Sequence, residues 1–320
     1  MAGDRTTNIR SCSAGASTCR PDRSHDVARR ELIDRWRTGN LRTEVLRRLA
    51  DGSSLLDLEL SVVDGLLDLR GLPAGGLESQ AATIAGVDFR YATLAHAHLE
   101  DVRFSGCRFD GADLARAVFT DGSITEGTML RATLTETLLA RTTWQSVNLT
   151  GAKMKYFSAE RTHFAECTFP ALPKAEFAGC TIEDSLFTGA LTETRFLGRA
   201  HDSAVLRRVT FSSADVTYPE FDGVDFEEVT FPPGDTLIVV PRNFRAVADR
   251  AAELSSSRGD QVGKDLRQFL SRESRRPGLR ETAGWATARH VLTDDYEGGE
   301  ELADFATTTL REAQEHRSAT

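Results

Sequence analysis

From about residue 87 the chain repeats every five residues. Every fifth position from Phe89 reads Phe89, Leu94, Leu99, Phe104, Phe109, Leu114, Phe119, Ile124, Met129, Leu134, Leu139, Trp144, Leu149, Met154, Ala159, Phe164, Phe169. Sixteen of these 17 are large and apolar, where an apolar content of 40% would place about seven. A period of five is neither that of a strand nor that of a helix. Two residues earlier in each unit the side chains are small or medium, from Val87, Ala92 and Ala97 through Cys107 to Cys167. Phe157 is the exception there, and it shares a unit with Ala159, the exception in the large series. That unit exchanges its large and small residues and keeps the core volume. The other three positions are mostly Asp, Arg, Thr, Ser, Glu and Gly. Two inward positions in five predict a solenoid of short flat sides, whose stacked turns share one interior.

The units Ala112-Asp113-Leu114, Ala132-Thr133-Leu134 and Val147-Asn148-Leu149 resemble the A-(D/N)-L-x-x unit of the pentapeptide-repeat family, over about residues 81–235. The resemblance implies a right-handed quadrilateral β-helix with four units per coil, here an all-β core with α flanks. On that fold Phe89, Phe109, Met129, Leu149 and Phe169 stack on one side, and Leu94, Leu114, Leu134 and Met154 on the next. Cys107 and Cys167 fall in one column, three coils apart.

The ladder breaks twice. After Phe169 comes Pro170-Ala171-Leu172-Pro173-Lys174, and the pattern restarts at Phe177, Ile182 and Phe187. Proline gives a ladder no N–H, so a bulge or short loop belongs at 170–174. A second slip at 198–203 predicts a protruding turn carrying His201, and Pro232-Pro233-Gly234 ends the ladder.

The flanks divide the rest. Residues 1–24 read as a disordered tail. Residues 25–80 read as short helices broken at Gly39-Asn40, followed by irregular first coils; the solenoid then occupies 81–235. In 236–320 the period becomes helical: Phe244 to Leu254, Val262 to Leu270, a third helix marked by Trp285, Val291 and Leu292, and a fourth from Leu302 to Leu310. This segment reads as a cap over the open end of the solenoid and as a surface for homodimerisation.

Composition narrows the function. The formal net charge is −9, which argues against a general nucleic-acid binder. The longest apolar run noted is Leu237-Ile238-Val239-Val240, too short for a membrane span, and residues 1–30 carry no apolar signal core. The five cysteines do not make a disulfide framework in a chain this long; free thiols fit a cytoplasmic protein. Arg supplies 35 of the 39 basic residues, and with abundant Ala and Gly this suggests a high-GC bacterial genome.

No catalytic arrangement has local support. Gly259-Asp260-Gln261-Val262-Gly263-Lys264-Asp265 has one residue too few between its glycines for a phosphate loop and no Ser or Thr after the lysine. His96, His98 and Glu100 read as a solvated face rather than a metal site, and Cys12 and Cys19 do not match a zinc knuckle. The expectation is a non-enzymatic protein with no cofactor and no metal.

Residues 81–235 carry 14 basic and 22 acidic residues, so the negative charge concentrates on the solenoid. It is densest at Asp215, Glu220, Asp222, Asp225, Glu227 and Glu228, which the register sets outward. The resemblance implies a function: some family members act as duplex mimics that occupy the DNA site of type II topoisomerases, chiefly DNA gyrase, and protect it from quinolones or natural gyrase poisons. On that reading these six acids contact a protein partner, and the breaks at 170–174 and 198–203 are candidate projecting loops. The alternative is an interaction scaffold with the C-terminal helices as its docking element.

Overall fold

The computed structural model describes residues 23–198, 204–211, 214–216, 218–234, 236–276 and 279–318. Most of the tail read over 1–24, with Cys12 and Cys19, lies outside the described residues, as does His201 with the rest of 199–203.

Each pentapeptide unit forms one side of a four-sided coil. Its large residue and the small residue two positions before it turn inward and are buried from Val87 to Cys167, with few exceptions. The unit then turns a corner through one left-handed residue: Asp101, Arg116, Asp121 and Glu126 take φ of +51° to +58°. Such a conformation costs about 1–2 kcal/mol at a residue with a Cβ. The corner amide gains a ladder bond in return. Asp101 N–H donates to Thr120 O at 2.8 Å, and Glu126 N–H to Gln145 O at 3.0 Å.

Equivalent residues of successive coils therefore pair in parallel. Leu99, Phe119, Leu139 and Ala159 align on the first side. Phe104, Ile124, Trp144 and Phe164 align on the second. Bridges through 88, 108, 128, 148 and 168 make the third side, and those through 73, 93, 113, 133 and 153 the fourth. Eight strands stack on the first side, from Glu78–Gln80 to Glu220–Glu227. The result is a parallel β-solenoid of about eight turns, its ladder beginning at Leu66–Asp68, which pairs with Val87–Asp88. At its C-terminal half two aromatic columns run through the core. Phe169, Phe187 and Phe211 stack at 4.6 Å steps, and Phe177, Phe196 and Phe221 at 5.1 and 4.8 Å.

The break at 170–174 is not the bulge or loop expected. Leu172 is fully buried and Lys174 takes the corner conformation, so Leu172 serves as the inward residue of the fourth side. The corner after Phe169 is tighter than the others. Phe177 consequently pairs with Ala159, a shorter step back along the chain than the Ala159–Leu139 pairing below it. The second slip lengthens a coil instead: Leu206 pairs with Ile182, a longer step than the regular one, with 199–203 outside the described residues.

A stacked coil leaves unpaired backbone at each end, and both ends are covered. Helices α1 (Arg23–Asp34) and α2 (Leu41–Asp51) lie at the first coil. First-coil carbonyls that no earlier coil can reach are taken by side chains: Arg35 Nη2 donates to Asp68 O at 3.2 Å and Arg70 O at 2.9 Å, Trp36 Nε1 to Arg70 O at 2.9 Å, and Arg42 Nε to Pro73 O at 3.1 Å. Val45 and Leu49 of α2 join the solenoid core.

At the other end, strand Gly284–Ala288 pairs antiparallel with the last coil strand Glu220–Glu227, and on its far edge with Leu237–Val240. Trp285 is thus on a strand, not on the helix its neighbours in sequence predict. The exposed edge of the last coil is the reason: its backbone needs a partner, and that need overrides helical propensity. Ala286 points into the solenoid core. Trp285 points the opposite way into a second core, stacked on Phe244 at 4.5 Å. Helices α3 (Phe244–Leu254), α4 (Gln261–Glu273), α5 (His290–Asp295) and α6 (Gly299–Ser318) surround that second core.

Candidate partner-binding surface

A side wall of this rod is assembled from residues one coil apart, because each pentapeptide turns onto the next side. Five consecutive polar residues therefore wrap round a corner, whereas equivalent residues of successive coils stand one above the other. This decides what the acids at 215–228 can do. Asp215 lies on the fourth side, Glu220 and Asp222 on the first, Asp225 and Glu227 on the second, and Glu228 on the edge after it. They circle the last coil and do not form one face.

Most of them are also engaged. Glu220 takes Arg195 Nε at 3.0 Å and is bonded by Arg276 from the C-terminal unit. Asp225 is held by Arg280 from the same unit. Glu227 takes Arg207 Nε at 2.6 Å. Asp215 and Glu228 are exposed.

Asp222 is a correction to the outward placement. It is only 8% exposed, covered where Gly284–Ala288 pairs beside it, with Trp285 opposite. Its Oδ1 has no hydrogen-bond partner, and its Oδ2 lies 3.8 Å from Arg276 Nη1. Burial, with the nearby Glu273 charge adding and Arg195 opposing, pushes its pKa up to about 6. Glu273, itself buried, takes Arg276 Nε at 2.8 Å and Trp285 Nε1–H at 3.2 Å. Burial raises its pKa too, against Arg272 and Trp285. This cluster joins rod to cap.

Opposite charges also alternate up the walls. Arg116 pairs with Glu136 at 2.8 Å and Arg141 with Asp121 at 2.7 Å, each across neighbouring coils. Glu183 meets Arg207 at 3.1 Å, and Asp184 meets Arg208 at 2.6 Å. The solenoid carries less open negative charge than its composition suggests.

One edge keeps an acidic character. The corner positions between the second and third sides read Glu126, Ser146, Glu166, Asp184, Arg208 and Glu228, all left-handed. Glu126, Glu166, Asp184 and Glu228 are exposed. Asp184 is tied to Arg208, while Glu166 accepts Ser146 Oγ–H at 2.6 Å. This column was missed in the sequence because its members are far apart; counting corner positions coil by coil would have found it.

The remaining candidates are placed without assembling chemistry. His96, His98 and Glu100 are exposed. Cys107, Cys167 and Cys180 are buried free thiols, and burial pushes the first two up to about 11 and about 12. Asp260 is the N-cap of α4, accepting Gly263 N–H at 3.0 Å, which gives the glycine-containing stretch a structural role. Among the described residues no helix is long and apolar enough to cross a membrane.

A capped four-sided β-solenoid with charged walls defines the class of this protein: a repeat-built scaffold with long, regular side surfaces. The family model for pentapeptide repeats, eight copies, matches residues 84–121. The five-residue ladder continues on both sides of that stretch, and the solenoid it builds has the pentapeptide-repeat β-helix fold.

Solved structures to which the chain is similar include QnrB1, titled a plasmid-mediated fluoroquinolone resistance protein. It is 17% identical over 48% of this chain and 83% of that chain, with a TM-score of 0.28. HetL, titled a pentapeptide repeat protein involved in heterocyst differentiation regulation from the cyanobacterium Nostoc sp. strain PCC 7120, is 17% identical over 59% of this chain and 92% of that one, at 0.30. Rfr23 from the cyanobacterium Cyanothece 51142 is 13% identical over 48% and 89%, at 0.16. No curated protein matches the chain.

Proposed function

We propose that the protein is a non-enzymatic cytoplasmic binding module whose rod docks on a DNA-recognising protein in place of duplex, DNA gyrase being the first partner to test. The observation that supports this reading is dimensional. Eight coils at the β spacing of about 4.8 Å make a rod of roughly 40 Å, the length of about 11 base pairs at about 3.4 Å each. The proposed contact is the acidic edge of Glu126, Glu166, Asp184 and Glu228, which lies along the rod as a strand of phosphates lies along a duplex. Of the acids at 215–228, Glu228 belongs to this edge; Asp222 is too buried to touch a partner.

The test is a gyrase supercoiling assay, with enzyme from the same host, with and without a quinolone. Low-micromolar inhibition of supercoiling, or relief of drug-stabilised cleavage, is the expected result. The triple variant Glu126→Lys, Glu166→Lys, Glu228→Lys should lose it while melting like the parent. An unaffected gyrase ends the reading; inhibition that survives the triple variant ends the assignment of the edge.

A second reading has its own observation. Helices α3, α4, α5 and α6 pack a separate core around Trp285 and Phe244, as a docking element with its own partner would. Loss of a homodimer on substituting exposed residues of α6, followed by sedimentation, is the result that supports it.

A further inference from the structure

Nine solenoid arginines hold a carboxylate in an ion pair. Arg131 is exposed and holds none among the described residues. It stands on the edge between the third and fourth sides, next to the acidic edge. Along that edge positions 91, 111, 131 and 151 alternate Tyr, Gly, Arg, Gly. Each glycine accommodates the side chain of the coil before it. The Tyr91 ring lies against Gly111, with ring carbons 2.9 Å from where a Cβ would stand. The Arg131 stem lies against Gly151, at 3.2 Å by the same measure. Any larger residue at 111 would displace the ring.

Helix α1 brings Arg29 to the same place. Arg29, Arg90, Tyr91, Leu130 and Arg131 border a groove of about 460 Å³, with Asp110 as its one acid. Asp110 turns an oxygen to Leu130 N–H at 2.9 Å, and Arg90 is bound to Asp88 at 2.6 Å. Arg29 and Arg131 are left as two guanidiniums facing one groove without a carboxylate partner among the described residues.

We propose that this groove binds a phosphate-bearing small molecule that carries a flat ring, the chemistry of a nucleotide. Arg29 and Arg131 present planar forks that match phosphate oxygens. Tyr91, laid along the edge by Gly111, presents a ring face for stacking, and Leu130 adds apolar contact beside it. Arg29 and Arg131 supply the groove's positive charge in a chain whose net charge of −9 otherwise repels anions, while Arg90 is neutralised by Asp88. The site is independent of the partner reading, since it lies on a different edge and needs no macromolecule.

Titration calorimetry on the full chain tests it with ADP, pyrophosphate and adenosine in about 150 mM salt. ADP should saturate a single site, pyrophosphate should bind more weakly, and adenosine should give no heat. Arg131→Glu should weaken ADP at least about tenfold, the loss of one charge-assisted contact. Tyr91→Leu should weaken ADP and leave pyrophosphate unchanged, whereas Glu126→Gln on the neighbouring edge should change neither. Arg131→Gln serves if the reversal impairs folding, which a thermal melt reports. No saturable heat from ADP or pyrophosphate overturns the proposal, as does equal affinity in the Arg131 variants. ADP binding no tighter than pyrophosphate overturns the role of the ring.

Discussion

The unit of Phe157 and Ala159 shows how single residues are accommodated in this interior. Both are fully buried, and the Phe157 ring lies 6.5 Å from Trp144 and 5.9 Å from Phe177. Trp144 is among the largest buried side chains, and the small residue at 159 coincides with it in the neighbouring coil. The exchange thus moves bulk within the unit rather than removing it. Ala159→Leu alone should overpack the coil and cost about 1–3 kcal/mol in urea unfolding. Adding Phe157→Ala should recover part of that loss; a purely additive pair of penalties would contradict the exchange. Gly122 has a different constraint. A Cβ there would meet Val102 O at 2.3 Å, so glycine at this inward position is set by backbone contact, not by volume.

At the scale of elements, the ends of the rod matter more than its repeats. Every internal coil finds its hydrogen bonds in its neighbours, but the first and last coils need other partners. Asp68 ties the N-terminal cap to the first coil. Burial alone would raise its pKa, but bonds from Arg35 and Arg70 outweigh burial and hold it well below the usual carboxylate range. Arg35 Nη1 and Nη2 reach its two oxygens at 2.6 and 2.9 Å. Arg35→Met should cost about 1–3 kcal/mol, because it removes two charge-assisted bonds from a buried carboxylate, leaving Arg70 to hold it, and the side-chain bond to the carbonyl of 68. Urea unfolding measures it, and a change under about 0.5 kcal/mol would mean that Arg70 suffices. The repeating elements were legible from the period of five, since two inward positions in five admit no other packing. The shortened corner at 170–174 was not, because prolines mark a departure from the ladder without saying whether the chain lengthens or tightens. Leu172, buried between the two prolines, decides it.

For the whole molecule, the junction of rod and C-terminal unit should respond to pH, because it buries the carboxyls of Asp222 and Glu273. Asp222 is raised to about 6 by burial and Glu273, and Glu273 is raised by burial. A carboxyl whose folded pKa is raised binds its proton more tightly folded than unfolded. Its contribution is therefore fully present below the unfolded value near 4 and is lost as pH rises through about 6. Asp222→Asn should stabilise the protein at pH 7–8 by roughly 1–3 kcal/mol and flatten its stability between about pH 4 and 6. Thermal melts across that range measure it; an unchanged slope would place the titration elsewhere. Arg276 and Arg280 meanwhile bond Glu220 and Asp225, so the C-terminal unit neutralises acids that the rod alone would expose.

The sequence by itself determined the solenoid, the burial of its large and small series, and the helical character of most of the C-terminal flank. These are local: a period of five repeats the same inward pair wherever it occurs, and a stripe such as Phe244 to Leu254 has one apolar face. Tertiary structure alone decided which charges share a surface. The six acids at 215–228 are neighbours in sequence but circle the last coil, while Glu126 and Glu228 are distant in sequence yet share an edge. It also decided that Trp285 would be a strand residue, because the last coil leaves a backbone edge that only a strand can pair. Sequence distance governs conformation, and coil register governs surface; on a four-sided rod the two coincide only once in each coil.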